Sequence, residues 1–160
     1  MNKVNVFAVP CKEYNQETNS IIGIYNQVEI ENNRMDLCVF TGINYVGSDE
    51  KANVNLDYYL QCVKDEDGTG NDGKRLSLFA ISGKNRLETE YFQYGAYTGM
   101  LSHETNIPIL CSGLYELQVF LTEEECLKND SPKRRYERYK ENGELPQAVA
   151  RLKIKKIPVA

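Results

Sequence analysis

The eleven residues NVNLDYYLQCV, at positions 53–63, are the feature that most limits what this chain can fold into. Hydrophobic side chains occupy every second position, at Val54, Leu56, Tyr58, Leu60 and Cys62. A period of two places them on one face of a β-strand, whereas a helix would scatter them around its circumference. The pattern predicts a strand with one face on a core and the other face, which includes Asp57 and Tyr59, in water.

Comparable runs elsewhere in the chain predict seven further strands, at residues 3–9, 20–30, 35–45, 75–82, 87–93, 114–122 and 149–157. Clusters of Gly, Asn and Asp separate them, as turns require. No long amphipathic helix precedes residue 110, which argues against parallel βαβ units. A length of 160 residues fits one domain. The sequence therefore predicts an all-β fold, an antiparallel β-sandwich of about eight strands, as a single domain over residues 1–160.

Residues 123–147 depart from this pattern and predict a charged helical insertion before the last strand. Thr122 followed by Glu123, Glu124 and Glu125 forms a capping box. Further on, the pair Ser131-Pro132 supplies a cap and a proline at the first helical position, and Asn142-Gly143 supplies a stop. Two short helices, separated at Pro132, are expected here.

The charge of the chain is unevenly distributed. The net charge is −4. Residues 1–127 hold nine Lys and Arg against nineteen Asp and Glu, a balance of −10, while residues 128–160 hold ten against four, a balance of +6. An acidic body with a basic C-terminal segment suggests an electrostatic contribution to partner binding.

The apolar run VFAVPC near the start is much shorter than the roughly 20 residues that span a bilayer, so no membrane association is expected. The five cysteines, Cys11, Cys38, Cys62, Cys111 and Cys126, include no C-x-x-C pair. An odd number without close spacing favours a reducing compartment over a disulfide framework. A cytoplasmic location is the expectation.

Two motifs resemble bacterial immunoglobulin-like and C2-like β-sandwiches. One strand ends V-x-D-x-D-G, with Val63, Asp65, Asp67 and Gly68, and a later strand opens G-x-Y-x-L-x-V, with Gly113, Tyr115, Leu117 and Val119. The stretch SIIGIYNQVEI, at 20–30, looks like the second strand of small prokaryotic sandwich proteins. The resemblance covers residues 3–121 and the last strand, and it implies the sandwich fold without an activity.

The acidic loop DEDGTGNDG, at 65–73, is the candidate metal site. An EF-hand reading fails because position 12 is Leu76 instead of Glu. C2-like domains bind calcium through clustered loop aspartates, so Asp65, Asp67 and Asp72 form a weak calcium set, and a solvated hairpin loop explains them equally well. No zinc site is expected, because the chain has one histidine and no close cysteine pair. No other metal and no cofactor are predicted.

Nucleophilic catalysis would have to use His103, the one histidine, as its base. Cys111 lies eight residues further on and Glu104 is adjacent, so a triad can be drawn from these residues. The alternative is that Cys111 is a small buried hydrophobic residue and His103 lies in an exposed polar loop. We expect the protein not to be an enzyme.

The segment SPKRRYERYKENG, at 131–143, combines basic residues with aromatic rings. The candidate partner-binding residues on this helix are Arg134, Arg135, Tyr136, Arg138 and Tyr139. On a helix they could contact phosphates and stack on bases. Alternatively, the tyrosines pack the helix on the sandwich and the charges pair with the acidic body. A second candidate contact is EYFQYGAYTGM, at 90–100, where Tyr94 and Tyr97 accompany glycines as in binding loops.

These observations lead to a non-enzymatic macromolecule-binding protein as the functional hypothesis. A protein partner is favoured, and an inhibitor from a bacterium or phage that acts by steric occlusion is one concrete form of it. The alternatives are a nucleic-acid-binding protein that uses the basic helix at 132–142, and a structural subunit of a phage particle or homo-oligomer. The oligomeric state does not follow from the sequence.

Overall fold

The computed structural model of the chain describes residues 3–15, 17–18, 20–46, 55–82, 97–122 and 130–158. Within these ranges it contains ten β-strands and one α-helix. The strands are β1 Lys3–Cys11, β2 Glu13–Asn15, β3 Ser20–Ile22, β4 Gln27–Ile30, β5 Arg34–Val46, β6 Asn55–Asp65, β7 Arg75–Ser82, β8 Tyr97–Pro108, β9 Gly113–Thr122 and β10 Ala148–Lys156, and the helix, α1, is Pro132–Glu141.

The strands form two main sheets and a small hairpin. The first sheet has three strands in the order β1-β5-β8, the second has five in the order β4-β10-β9-β6-β7, and β2 pairs with β3. Neighbouring strands are antiparallel, except that β10 and β4 are parallel. The predicted antiparallel β-sandwich, with a helix before its last strand, is confirmed.

The core lies between the two main sheets and follows the period-two pattern. Inward side chains of both sheets form one buried cluster, which includes Val39 of β5, Leu60 of β6 and Leu117 of β9. The Tyr58 hydroxyl reaches across the core to hydrogen-bond with the Thr41 hydroxyl of the opposite sheet. Burial raises the pKa of Tyr58 to about 12, since the phenolate would lose its hydration there.

Strand β6 corrects one expectation, because both of its faces are buried. Leu56, Tyr58 and Leu60 face the core as predicted. Asp57 and Tyr59, predicted to face water, are 1% and 0% exposed. The reason is that α1 packs over this outer face of the five-stranded sheet, with Tyr139 and Arg135 in contact with Asp57.

Helix α1 begins and ends where its sequence signals predict. The Ser131 hydroxyl accepts a hydrogen bond from the Arg134 amide at 3.2 Å, and Pro132 occupies the first turn. At the other end the Asn142 amide donates to the Arg138 carbonyl at 2.9 Å. The first of the two predicted helices, at residues 123–129, lies outside the described residues. In the described part of the chain, no helix has the length and apolarity needed to cross a membrane.

The strand predictions differ from the structure in three places. The run at 20–30 is divided into β3 and β4, because Gly23 adopts a φ of +70° and turns the chain between them. Strands β2 and β8 were not predicted, and β8 places the exposed His103 on a strand instead of in a loop. The strand predicted at 87–93 lies outside the described residues.

Gly113 provides a test of the packing at the start of β9. A Cβ at this position would lie 1.9 Å from the Lys64 carbonyl oxygen, beside the bulge that shifts the register between Cys62 and Lys64. Gly113→Ala should therefore lower the free energy of unfolding by about 3 kcal/mol, since backbone must move to accommodate the methyl group. Urea denaturation measures the loss.

Gly143→Ala is the matched control for that substitution. Gly143 has a φ of +67° with open space around it, so alanine there meets only the backbone penalty of about 1 kcal/mol. Equal losses for the two variants would contradict the close approach of β9 to Lys64.

Candidate functional site

The outer face of the three-stranded sheet presents two adjacent apolar rows. The strand register places Val9, Phe40 and Leu101 in one row, and Phe7, Gly42 and Gly99 in the next. Ala8 and Thr41, which alternate with them, are buried on the core side. We call the surface formed by these two rows the apolar face.

The apolar face is flat at Gly42 and exposed at Phe7 and Leu101. A Cβ on Gly42 would lie 2.2 Å from the Phe7 ring, so this ring rests directly across the glycine. Phe7 is 38% exposed and Leu101 is 40% exposed, while Val9 and Phe40 are half-buried. Apolar side chains that adjoin one another at a solvent-exposed surface are typical of interaction sites.

One end of this sheet face is covered by the chain itself. The Lys12 amide donates to the Ile22 carbonyl at 3.1 Å, and the Tyr25 amide donates to the Pro10 carbonyl at 3.3 Å. In the row next to Val9, Cys11 lies opposite Cys38, and both are buried. The exposed part of the face is therefore the end that contains Phe7 and Leu101.

The outer face of the five-stranded sheet is instead closed by α1 through a buried ion pair. Arg135 Nε donates to both carboxylate oxygens of Asp57, at 3.1 and 2.9 Å, and Arg135 Nη2 donates to Oδ1 at 2.9 Å. The Tyr139 hydroxyl donates to Oδ2 at 2.6 Å. Arg135 Nη1 also donates to the Asp130 carbonyl at 2.6 Å. Each charge is thus paired where water is excluded.

Aromatic rings complete the contact between α1 and the sheet. Tyr59, Phe120, Tyr136 and Tyr139 form a buried cluster, in which the Phe120 and Tyr139 rings stack at 4.8 Å. The Arg75 guanidinium lies 3.3 Å from the centre of the Tyr136 ring. Burial and, next, the hydrogen bond to Asp57 hold the pKa of Tyr139 well above its usual range, so its hydroxyl stays protonated as the donor.

This arrangement decides which predicted partner-binding residues are accessible. Three of them are buried between α1 and the sheet, with exposures of 4–9%: Arg135, Tyr136 and Tyr139. This agrees with the alternative in which the tyrosines pack the helix on the sandwich. Arg138 is half-buried and pairs with Asp130. Arg134 is exposed, so its role in partner binding, like that of Arg138, stays a prediction. The exposed charged residues of α1 are Lys133, Arg134, Glu137, Lys140 and Glu141, a net charge of only +1.

The carboxylates of the candidate calcium residues accept hydrogen bonds from their own loop and from the Ser112 amide. Asp65 accepts four hydrogen bonds, from the amides of Asn71, Asp67 and Thr69 and from the Thr69 hydroxyl. These bonds, that of the Asn71 amide most of all, hold the pKa of Asp65 well below its usual range. Asp72 accepts from the Asp65 amide at 2.6 Å, and Asp67 accepts from the Ser112 amide at 2.8 Å. Across the described ranges, no three acidic, thiol or imidazole side chains converge on one point.

The residues proposed for a catalytic triad lie on different faces of the first sheet or in the core. His103 pairs with Cys38 in the register, and its side chain is exposed. Cys111 is fully buried, with its sulfur 3.7 Å from that of Cys62 and 3.3 Å from the Tyr115 hydroxyl. Burial raises the pKa of the Cys62 thiol to about 12, and a neutral thiol is a poor nucleophile.

The two tyrosines predicted to contact a partner are only partly described. Tyr94 lies outside the described residues. Tyr97 opens β8 and pairs with Asn44, in the row next to that of Phe7, Gly42 and Gly99. The strand register therefore places Tyr97 next to the apolar face. Its prediction as a contact residue rested on a different feature, the glycines that accompany it in the sequence.

Sequence reasoning missed Phe7, Phe40 and Leu101 as candidate contact residues. A signal was present in β1, where VNVFAVP is apolar at Val6 and Ala8 and also at Phe7 and Val9. A strand that is apolar on both faces indicates that the second face is covered or makes contacts. Asp57 was also missed, because its partner Arg135 lies 78 residues further along the chain.

Comparisons with known proteins support the fold alone. No family model matches the chain, and no curated protein matches it. A β-glucosidase from Listeria innocua aligns over 99% of this chain with a TM-score of 0.50 and 10% identity. The CARDB domain of a Pyrococcus furiosus protein, solved with di-metal ions, covers 98% of this chain and 96% of its own length with a TM-score of 0.46 and 10% identity. An alkylpurine DNA glycosylase from Pseudomonas fluorescens, solved with DNA that contains an abasic site analog, covers 96% with a TM-score of 0.44 and 12% identity.

The chain spans only 17% of the glucosidase and 30% of the glycosylase. Of the three structures, the glucosidase alone reaches a TM-score of 0.50, and at 10% identity it supports a common β fold without indicating an activity. The resemblance to immunoglobulin-like and C2-like sandwiches is likewise a statement about the fold.

Substituting Arg135 tests the closure of the five-stranded sheet. Arg135→Met would leave the Asp57 carboxylate buried without its counter-ion, and we expect the free energy of unfolding to fall by about 3–5 kcal/mol. Arg134→Met, one position earlier on the exposed side, should change it by less than about 0.5 kcal/mol. Chemical denaturation measures the free energy of unfolding of both variants. Equal losses would mean that the ion pair between Arg135 and Asp57 does not hold α1 in place.

The buried thiol and phenol groups predict that the free energy of unfolding falls at alkaline pH. The pKa values of Tyr58, Cys38 and Cys62 are each raised to about 12 in the fold. In the unfolded chain thiols ionise near pH 8.5 and tyrosines near pH 10, so the unfolded state loses protons first. The urea midpoint, measured with reductant present, should be constant between about pH 6 and pH 8 and fall steadily from there to pH 11. A constant midpoint up to pH 11 would contradict the burial of these groups.

Proposed function

We propose that the protein is a non-enzymatic binding protein that recognises a protein partner through the apolar face. The observation that supports this most strongly is that the exposed Phe7 of β1 and Leu101 of β8 lie on the same face of the sheet, on either side of Phe40 and Gly42 of β5. Protein interfaces have apolar, aromatic-rich centres without charge. The two rows of the apolar face contain no charged residue.

The buried side chains of Asp57 and Cys62 support a role without catalysis, since both are engaged in structural contacts. Asp57 is held by Arg135 and Tyr139, and the Cys62 thiol is buried against Cys111. A binding protein of this size acts by covering a surface of its partner. An inhibitor from a bacterium or phage that works by steric occlusion is the concrete form of the proposal.

A protein partner is preferred to a nucleic acid on the chemistry of α1. Binding of single strands uses exposed aromatic rings for stacking and a positive groove for phosphates. Tyr136 and Tyr139 are turned towards the sheet, and the exposed charges of α1 come to +1. The acidic body, at −10 over residues 1–127, would also repel a polyanion.

Charging the apolar face tests the proposal. Leu101→Lys places an ammonium group in the centre of the proposed contact, where binding would remove it from water. Affinity purification from host lysate, quantified by mass spectrometry, should recover a specific protein with the wild type and at least about tenfold less of it with Leu101→Lys, a loss of about 1.4 kcal/mol.

The matched control is Leu145→Lys, an equally apolar residue that is 78% exposed between α1 and β10. Its recovery should equal that of the wild type. Unchanged recovery with Leu101→Lys, or loss of the partner on changing Arg134 and Arg138 to Glu in a protein that remains folded, would remove the apolar face as the binding surface. Size-exclusion chromatography of the same variants identifies the case in which the partner is a second copy of the chain.

A further inference from the structure

The four cysteines that the structure describes fall into two pairs. The sulfur atoms of Cys11 and Cys38 are 3.7 Å apart, and so are those of Cys62 and Cys111. All four are buried and free. The partners are 27 and 49 residues apart in the chain, so their pairing arises from the fold and has no signature in local spacing.

The first pair has the backbone geometry that a disulfide needs. Cys11 and Cys38 are directly opposite each other on the antiparallel strands β1 and β5. Residues in such positions have Cα atoms about 4.5–5.5 Å apart, within the roughly 4.4–6.8 Å range seen in disulfides. Closing the bond requires the sulfurs to approach from 3.7 Å to about 2.05 Å, which side-chain rotation can supply.

The second pair joins two segments of the five-stranded sheet. Cys62 lies near the end of β6, and Cys111 lies two residues before β9 begins. They are 2% and 0% exposed. The Tyr115 hydroxyl donates to the Cys111 carbonyl at 2.8 Å, which fixes the position of this residue beside Cys62. A cavity of about 180 Å³ borders Cys62 and provides space next to the pair.

We propose that the mature protein contains two disulfides, Cys11 with Cys38 and Cys62 with Cys111, which implies an oxidising compartment instead of the reducing one that the cysteine spacing predicted. Each bond forms by exchange with a small-molecule disulfide of the glutathione class. One cysteine thiolate attacks that disulfide and releases one small thiol, and the second cysteine then displaces the other small thiol from the mixed disulfide. Two electrons pass from the cysteine pair to the oxidant, and the two cysteine protons end on the released thiols.

The burial of the four cysteines indicates when the disulfides form. In the folded, reduced protein both pairs are shielded from an oxidant, and burial raises the pKa of the Cys38 and Cys62 thiols to about 12, so that few thiolates are present. The bonds therefore form while the chain folds, before the sheets close. Once formed, the same burial shields them from reductants in the folded protein, so that they are reduced as the chain unfolds.

The bond between Cys11 and Cys38 has a consequence for the apolar face. It would attach β1, an edge strand of the three-stranded sheet, to β5 in the row beside Val9 and Phe40. Fixing an edge strand in this way keeps the register that positions Phe7 over Gly42. The inference does not depend on the proposed function, since the pairs exist whatever the face binds.

Alkylation after oxidative refolding tests the pairing. The reduced, denatured chain is refolded in a mixture of oxidised and reduced glutathione, denatured again and treated with N-ethylmaleimide. The wild type should take up one group, on Cys126, and Cys126→Ser should take up none. Peptide mapping should link Cys11 to Cys38 and Cys62 to Cys111. Uptake of three or five groups by the wild type, or linkage of other cysteines, would overturn the proposal.

Thermal unfolding separates structural disulfides from adventitious oxidation. Adding reductant to refolded Cys126→Ser should lower its Tm by roughly 5–15 °C, since the bonds restrict the unfolded chain. The double variant Cys62→Ala and Cys111→Ala on this background should keep only part of the reductant effect. The variant with all four cysteines changed to Ala should show none. A reductant effect of the same size in that variant, or no effect in Cys126→Ser, would contradict the proposal.

Discussion

The ion pair between Asp57 and Arg135 is the interaction on which the rest of the structure depends. A carboxylate 1% exposed in the middle of a sheet is strongly unfavourable unless it is paired and hydrogen-bonded. Arg135 and Tyr139 supply those bonds, and both come from α1. The helix must therefore dock for the five-stranded sheet to be stable, and the basic and aromatic residues that suggested nucleic-acid binding are largely used in that docking. What the helix offers to solvent is a nearly neutral surface.

The two sheets consequently have different outer faces. One is closed by α1 and its cluster of rings around Phe120. The other has its exposed end at Phe7 and Leu101, where cross-strand neighbours form two apolar rows. In a sandwich whose outer faces would ordinarily be polar, exposed apolar side chains of this kind are typical of interaction surfaces, and the proposed function rests on them. Cys11 and Cys38 lie at the covered end of the same sheet and, when joined by a disulfide, would fix its edge strand.

Local patterns in the sequence predicted the parts of this structure that depend on local physics. Alternation identified the core side of β6, and the serine and proline before residue 133 identified the start of α1. The burial of Asp57 could not be predicted, because its partner is 78 residues away and nothing near it indicates a helix on that face. Strand β8 was missed because its polar residues, such as His103 and Glu104, hide the alternation. The cysteine pairs were missed for the same reason as Asp57: the spacing of 27 and 49 residues has no local pattern.

In the proposed function, the partner binds the apolar face and not α1. Replacing either Leu101 or Arg134 by a photo-reactive amino acid and irradiating the protein in its host distinguishes the two surfaces, since both positions are exposed. We expect a covalent adduct with a protein from position 101 and none from position 134. Adducts from position 134 alone, whether with protein or with nucleic acid, would contradict it.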